Sequence, residues 1–188
     1  MNTPQEVRHW SARYPVAYDT QHYDPNIVAA RTGDQAALWR VTQWKNPGRG
    51  NPPKAMRLSG AKEVAFQRFI RGLNRYLAPG GSEALRADFV ASSPVYSIFW
   101  HHVLFGSPIF DVHTNRAFQF FTTGVLLVGK KAAVPRGGHW ELHDRYTIWF
   151  HQTLDHLRAQ DPNITERMLD RALMQWGLAH KKSTFSRE

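Results

Sequence analysis

Cysteine is absent from the 188 residues. That excludes disulfides, thiol catalysis, iron–sulfur clusters and cysteine-ligated zinc. No apolar run approaches the roughly 18 residues of a membrane-spanning helix, and the opening MNTPQEVRHW has no apolar signal core. A soluble cytoplasmic chain with no membrane partner is therefore expected. Gly48 and Gly50 in PGRGNPP follow no predicted strand and open no immediate helix, and no GxSxG pattern is present. Hydride transfer, ATP chemistry and serine hydrolysis thus lack their usual sequence support. Acidic residues are few: 15 Asp and Glu stand against 24 Lys and Arg, a net charge of +9. An excess of that size favours polyanionic partners such as nucleic acid, although basic proteins without that role are common.

The chain is rich in aromatic residues, with 7 Trp, 6 Tyr and 11 Phe, enough to give one domain an aromatic core. Thr3-Pro4-Gln5-Glu6 has a capping-box pattern and predicts a helix from Pro4 to Tyr14, ended by Pro15. Val16–Pro25 reads as a surface wrap before a short helix at Asn26–Ala30, and Gly33-Asp34 opens a helix through Trp44. Asn46–Arg57 carries three prolines and two glycines and reads as a loop. Ser59 can cap a helix at Ala61–Leu77, and Ser82 a short one to Val90. Val125–Val128 reads as the end of a helix or a buried extended segment. His139–Gln160 is the longest amphipathic stretch. A last helix follows Asn163–Glu166 and is stopped by Gly177. The sum is an all-α fold of roughly eight helices. It is expected as one helical domain, or two lobes, over residues 1–178, followed by a loose polar tail over 179–188.

The most basic region runs from Lys45 to Arg75. Lys45, Arg49, Lys54, Arg57, Lys62, Arg68, Arg71 and Arg75 face a single acid, Glu63. Helical spacing leaves Arg68, Arg71 and Arg75 toward water, which suits a solvated face and a phosphate-contacting surface equally. His139 and His143 are four apart, as zinc ligands often are, but HWELH is not HExxH and no third ligand is evident. No metal site and no cofactor are expected.

The chain is organised around Pro94–Phe118. Ser93-Pro94 suits the start of an aromatic helix, and Asp111 follows the apolar turn Pro108-Ile109-Phe110, where its carboxylate can accept from the free amides of a second helix. An acid held there is a helix cap or a reactive group. Acid, basic loops and aromatic rings are also the parts a base-flipping enzyme needs.

The segment SPIFDVHTNRAF (Ser107–Phe118) resembles the catalytic-aspartate segment of the helix-hairpin-helix (HhH-GPD) DNA glycosylase superfamily. Leu38–Arg49, LWRVTQWKNPGR, and Ile164–Gly177, ITERMLDRALMQWG, are similar to further elements of its bacterial members. The resemblance implies a DNA-glycosylase fold with DNA as partner. Asp111 would be the carboxylate that supports cleavage of the N-glycosidic bond, with Tyr96, Trp100 and His113 as pocket residues. Lys45, Arg49, Lys54, Arg57, Ser92 and Ser93 would contact the DNA backbone. Two departures matter. Ser92–Ser97 reads SSPVYS and has no lysine for a Schiff base, which implies the monofunctional, water-attacking type. Val90–Val95 reads VASSPV, without the Gly-x-Gly turn that grips a phosphate in relatives. A non-catalytic DNA- or protein-binding module on the same fold is the main alternative. A small-molecule enzyme using His101, His102 and Asp111 is a weaker one.

Overall fold

The computed structural model describes residues 1–46 and 58–182, and among them no strand occurs. Ten α-helices follow one another: α1 (Pro4–Ser11), α2 (Val16–His22), α3 (Asp24–Arg31), α4 (Gln35–Trp44), α5 (Ala61–Tyr76), α6 (Gly81–Asp88), α7 (Pro94–Phe105), α8 (Val112–Thr123), α9 (His139–Gln160) and α10 (Glu166–Ala179). The all-α expectation is correct. None of the described helices is long and apolar enough to cross a membrane.

The chain divides into two compact units. One comprises residues 1–14, 108–135 and 141–188, the other residues 15–107 and 136–140. In the first unit α10 packs against α1 and α8. Val7, Phe110, Phe118, Tyr146, Phe150, Leu169 and Leu173 are among its buried side chains. Thr3 and Glu6 form the expected capping box, with Glu6 N donating to Thr3 Oγ1 over 3.2 Å. Gly177 does not stop the last helix, which continues to Ala179. It is instead a site of close approach, because a Cβ there would lie 2.0 Å from the His113 carbonyl oxygen. Helix α10 can press on the first turn of α8 only through a residue with no side chain.

In the second unit Trp100 is fully buried at the centre. Its ring stacks on Phe69 at 4.5 Å and meets Phe89 edge-on at 5.3 Å. Its indole N–H donates to Thr42 Oγ1 over 3.1 Å, so the ring carries no unsatisfied donor into the core. The segment expected to wrap the surface after Pro15 is helical instead. Helix α2 buries Tyr18 and Asp19, whose side chains join α4: Tyr18 donates to the Trp44 carbonyl at 2.8 Å, and Asp19 accepts from the Trp44 indole at 3.1 Å.

Three expected serine caps are corrected. Helix α5 is preceded by Gly60 rather than Ser59, and α6 by Gly80, so that Ser82 falls inside the helix. Ser93 holds the N-cap position of α7 but makes no capping hydrogen bond through its side chain. Its backbone sits at φ 49°, ψ 47°, and it is the one non-glycine residue at positive φ among those described. A side chain in that region is uncommon and strained, since glycine is the residue that adopts it freely.

Asp88, at the end of α6, ties that helix to α5 by accepting from the Tyr76 hydroxyl at 2.5 Å and pairing with Arg75. The Tyr76 bond, then the Arg75 charge, hold its carboxyl below the ordinary value. A group whose folded pKa is depressed adds stability that is complete above its unfolded pKa and lost as pH falls through the folded one. Urea midpoints are therefore expected to fall as pH drops below 3.8, the unperturbed value for Asp88. They should fall less steeply in Asp88→Asn, which lacks that contribution, while Asp161, held low mainly by Arg8, keeps a residual slope. Identical acid slopes in the two proteins would contradict this assignment.

Candidate functional site

Pro108, Ile109 and Phe110 are buried and deliver Asp111 to the N-terminus of α8 in extended backbone geometry. Asp111 Oδ1 accepts from the amides of His113 at 2.8 Å and Thr114 at 3.2 Å. The Asp111 amide donates in return to Thr114 Oγ1 at 2.7 Å. This reciprocal box satisfies helix-end donors and favours the ionised carboxylate through the helix dipole. Asp111 itself is half-buried, while Thr114 beneath it is enclosed.

Arg116 lies one turn further on and is only 2% exposed. Its Nε donates to the Leu127 carbonyl at 2.7 Å, and one terminal nitrogen to the Gly177 carbonyl at 2.6 Å. That same nitrogen approaches His113 Nδ1 at 3.3 Å. Because a guanidinium only donates, His113 Nδ1 is the acceptor and the ring proton belongs on Nε2. Burial lowers the Arg116 pKa, and the Asp111 charge opposes that fall. The pull is mutual: Arg116 favours ionised Asp111. Tyr146, fully buried, lies near Thr114, and burial, then the Asp170 and Asp111 charges, push its phenol well above the ordinary value. Its hydroxyl stays protonated below this turn.

Neither a protein-family model, nor a curated protein, nor a solved structure matches this chain. The candidate site rests on its own chemistry.

Asp111 and His113 belong to the first unit and meet at the α8 cap. The other expected residues that can be described belong to the second. Tyr96 is half-buried on the first turn of α7, where burial pushes its phenol up to about 12. Its ring is 5.9 Å from Trp100. Trp100 is enclosed by Phe66, Phe69, Phe89 and Tyr96, a packing position rather than an open stacking face. Ser92 and Ser93 are half-buried in the α6–α7 turn, and Lys45 stands over the Phe99 ring at 5.9 Å. Arg49, Lys54 and Arg57 fall outside the described residues.

The histidines have specific partners. His101 lies between the hydroxyls of Ser82 at 2.8 Å and Ser107 at 2.9 Å. His102 donates from Nδ1 to the Ser107 carbonyl at 2.5 Å, leaving Nε2 to accept from Tyr23. Among the described residues no group of three or more His, Cys, Asp or Glu could hold a metal ion. Reasoning from the sequence missed Arg116, Tyr146 and Gly177 as supports of the Asp111 turn. The signal for Arg116 was its place beside Ala117 and Phe118 on the inward side of α8.

Proposed function

We propose that this chain is a DNA-binding protein of helix-hairpin-helix glycosylase type that excises a damaged or modified base as a monofunctional glycosylase. The observation that carries the reading is Asp111. It is a half-buried carboxylate fixed by two amides, favoured in its ionised form by Arg116, and set in the segment that resembles the superfamily's aspartate.

The chemistry follows from that charge. As the C1′–N bond of the nucleoside breaks, the base leaves with the bonding electrons and positive charge develops on the sugar. Asp111 stabilises that charge and takes a proton from the water whose oxygen bonds to C1′. No lysine is available at Ser92–Ser97 to form a Schiff base, so the product is an abasic site in an unbroken strand. His113 is a pocket residue beside Asp111, and Lys45, Arg49, Lys54, Arg57, Ser92 and Ser93 contact the backbone. Trp100 packs against Tyr96 in the core of its own unit.

The second reading, a non-catalytic DNA- or protein-binding module, is favoured by a different observation. The two amide bonds to Oδ1 account for Asp111 as a cap without any chemistry. A panel of duplexes, each with one modified base, decides between the readings. The glycosylase is expected to yield alkali-labile abasic sites with one class of base and no strand breaks before alkali. Tight binding with no abasic product anywhere in the panel would favour the module. Absence of duplex binding at low salt would overturn the DNA reading altogether.

A further inference from the structure

Helix α5 carries four cations, and the structure separates them. Arg75 is engaged by Asp88. Arg68 and Arg71 are exposed and make no ion pair among the described residues. The Arg68 guanidinium lies 5.1 Å from the Phe89 ring, just before the α6–α7 turn. Lys62 Nζ lies 6.0 Å from the Tyr96 ring, just after that turn, and donates to Asn46 Oδ1 at 2.5 Å. The turn thus has a cation from α5 on each side. Arg71 neighbours Arg68 at three-residue spacing on the same side of the helix. The only acid on α5 is Glu63, on its first turn.

We infer that the Arg68–Arg71 side of α5 is a phosphate-binding surface for duplex DNA, in addition to the turn and the basic loop. This assignment rests on the DNA reading above. The Phe89 ring holds Arg68 near the turn, so less side-chain freedom is lost when a phosphate docks. Arg68 and Arg71 are about 4.5 Å apart along the helix axis, close enough to face neighbouring phosphates of a duplex carrying one charge per ~1.7 Å of axis. Cations without an ion-pair partner gain by displacing condensed counterions, most at Arg71 and less at Arg68, whose charge also acts on Asp88, while the ion-paired Arg75 gains least.

The test uses the full chain, an unmodified 20-base-pair duplex (about two helical turns) and fluorescence anisotropy from about 50 to about 200 mM salt. In Arg68→Gln/Arg71→Gln the slope of log K against log salt is expected to be shallower by about 1.8, since each lost phosphate contact removes ~0.9. The control, Lys181→Gln/Lys182→Gln, removes the same charge from exposed positions of the other unit and is expected to leave the slope near wild type. A wild-type slope in the α5 variant, or equal flattening in both variants, overturns the assignment while the DNA reading stands. A wild-type protein that does not bind the duplex overturns the DNA reading, and the α5 assignment with it.

Discussion

In Asp111→Asn protein, base excision is expected to fall by a factor on the order of 10² to 10³, with stability within about 1 kcal/mol of wild type. The two numbers diverge because Asn and Asp are equally good helix caps. The Asn side-chain oxygen can still accept from the amides of His113 and Thr114, as Asp111 Oδ1 does at 2.8 and 3.2 Å. What disappears is the negative charge that would stabilise the sugar cation and accept the proton of water. Asp111→Ala removes both and should lose about 0.5–2 kcal/mol of stability along with activity. The pair of substitutions separates cap from chemistry, which no single substitution does. Excision rates measured on the responsive duplex, beside urea midpoints, provide the check. An unchanged rate in Asp111→Asn would remove Asp111 from the reaction and leave it a cap.

The helical architecture was legible because its signals are local. Thr3 with Glu6, and Asp34 before α4, mark helix starts through side chains that reach only three residues along the chain. Asp111 was legible for the same reason: an acid after an apolar turn is a cap wherever it occurs. Helix α2 was not legible, because what folds it is distant. Tyr18 and Asp19 both bond Trp44, 25 or more residues later. Serine was misread as a cap at Ser59, Ser82 and Ser93, since glycine takes the cap position of α5 and α6, and Ser93 occupies left-handed backbone. The site shows the same division. His113 and Thr114 follow from their neighbourhood to Asp111. Arg116 depends on a carbonyl 61 residues away, and nothing near it in the sequence announces Gly177 as its acceptor.

That long-range bond makes Arg116 the residue whose loss should be felt most in the first unit. Arg116→Leu is expected to lower unfolding stability by about 1–4 kcal/mol, because the buried Gly177 carbonyl loses its donor at a cost of ~1–3 kcal/mol and the half-buried Leu127 carbonyl loses one at a smaller cost. The acceptors are the carbonyls of Leu127 and Gly177, and the guanidinium reaches both at once from a position 2% exposed. Arg116→Lys keeps the charge but not the planar fork, so it should fall between wild type and Leu. The Gly177 carbonyl belongs to the residue that lets α10 press against His113, so losing its donor also loosens the frame under Asp111. A second readout tests the electrostatic link. With the cation gone, the Asp111 carboxylate is harder to keep ionised, and the acid limb of any pH–excision profile should move to higher pH in Arg116→Leu. Arg116→Lys should leave that limb near its wild-type position. A Leu variant as stable as wild type would show that the three donated hydrogen bonds do not bear on folding, and an unmoved acid limb would show that Arg116 does not act through Asp111.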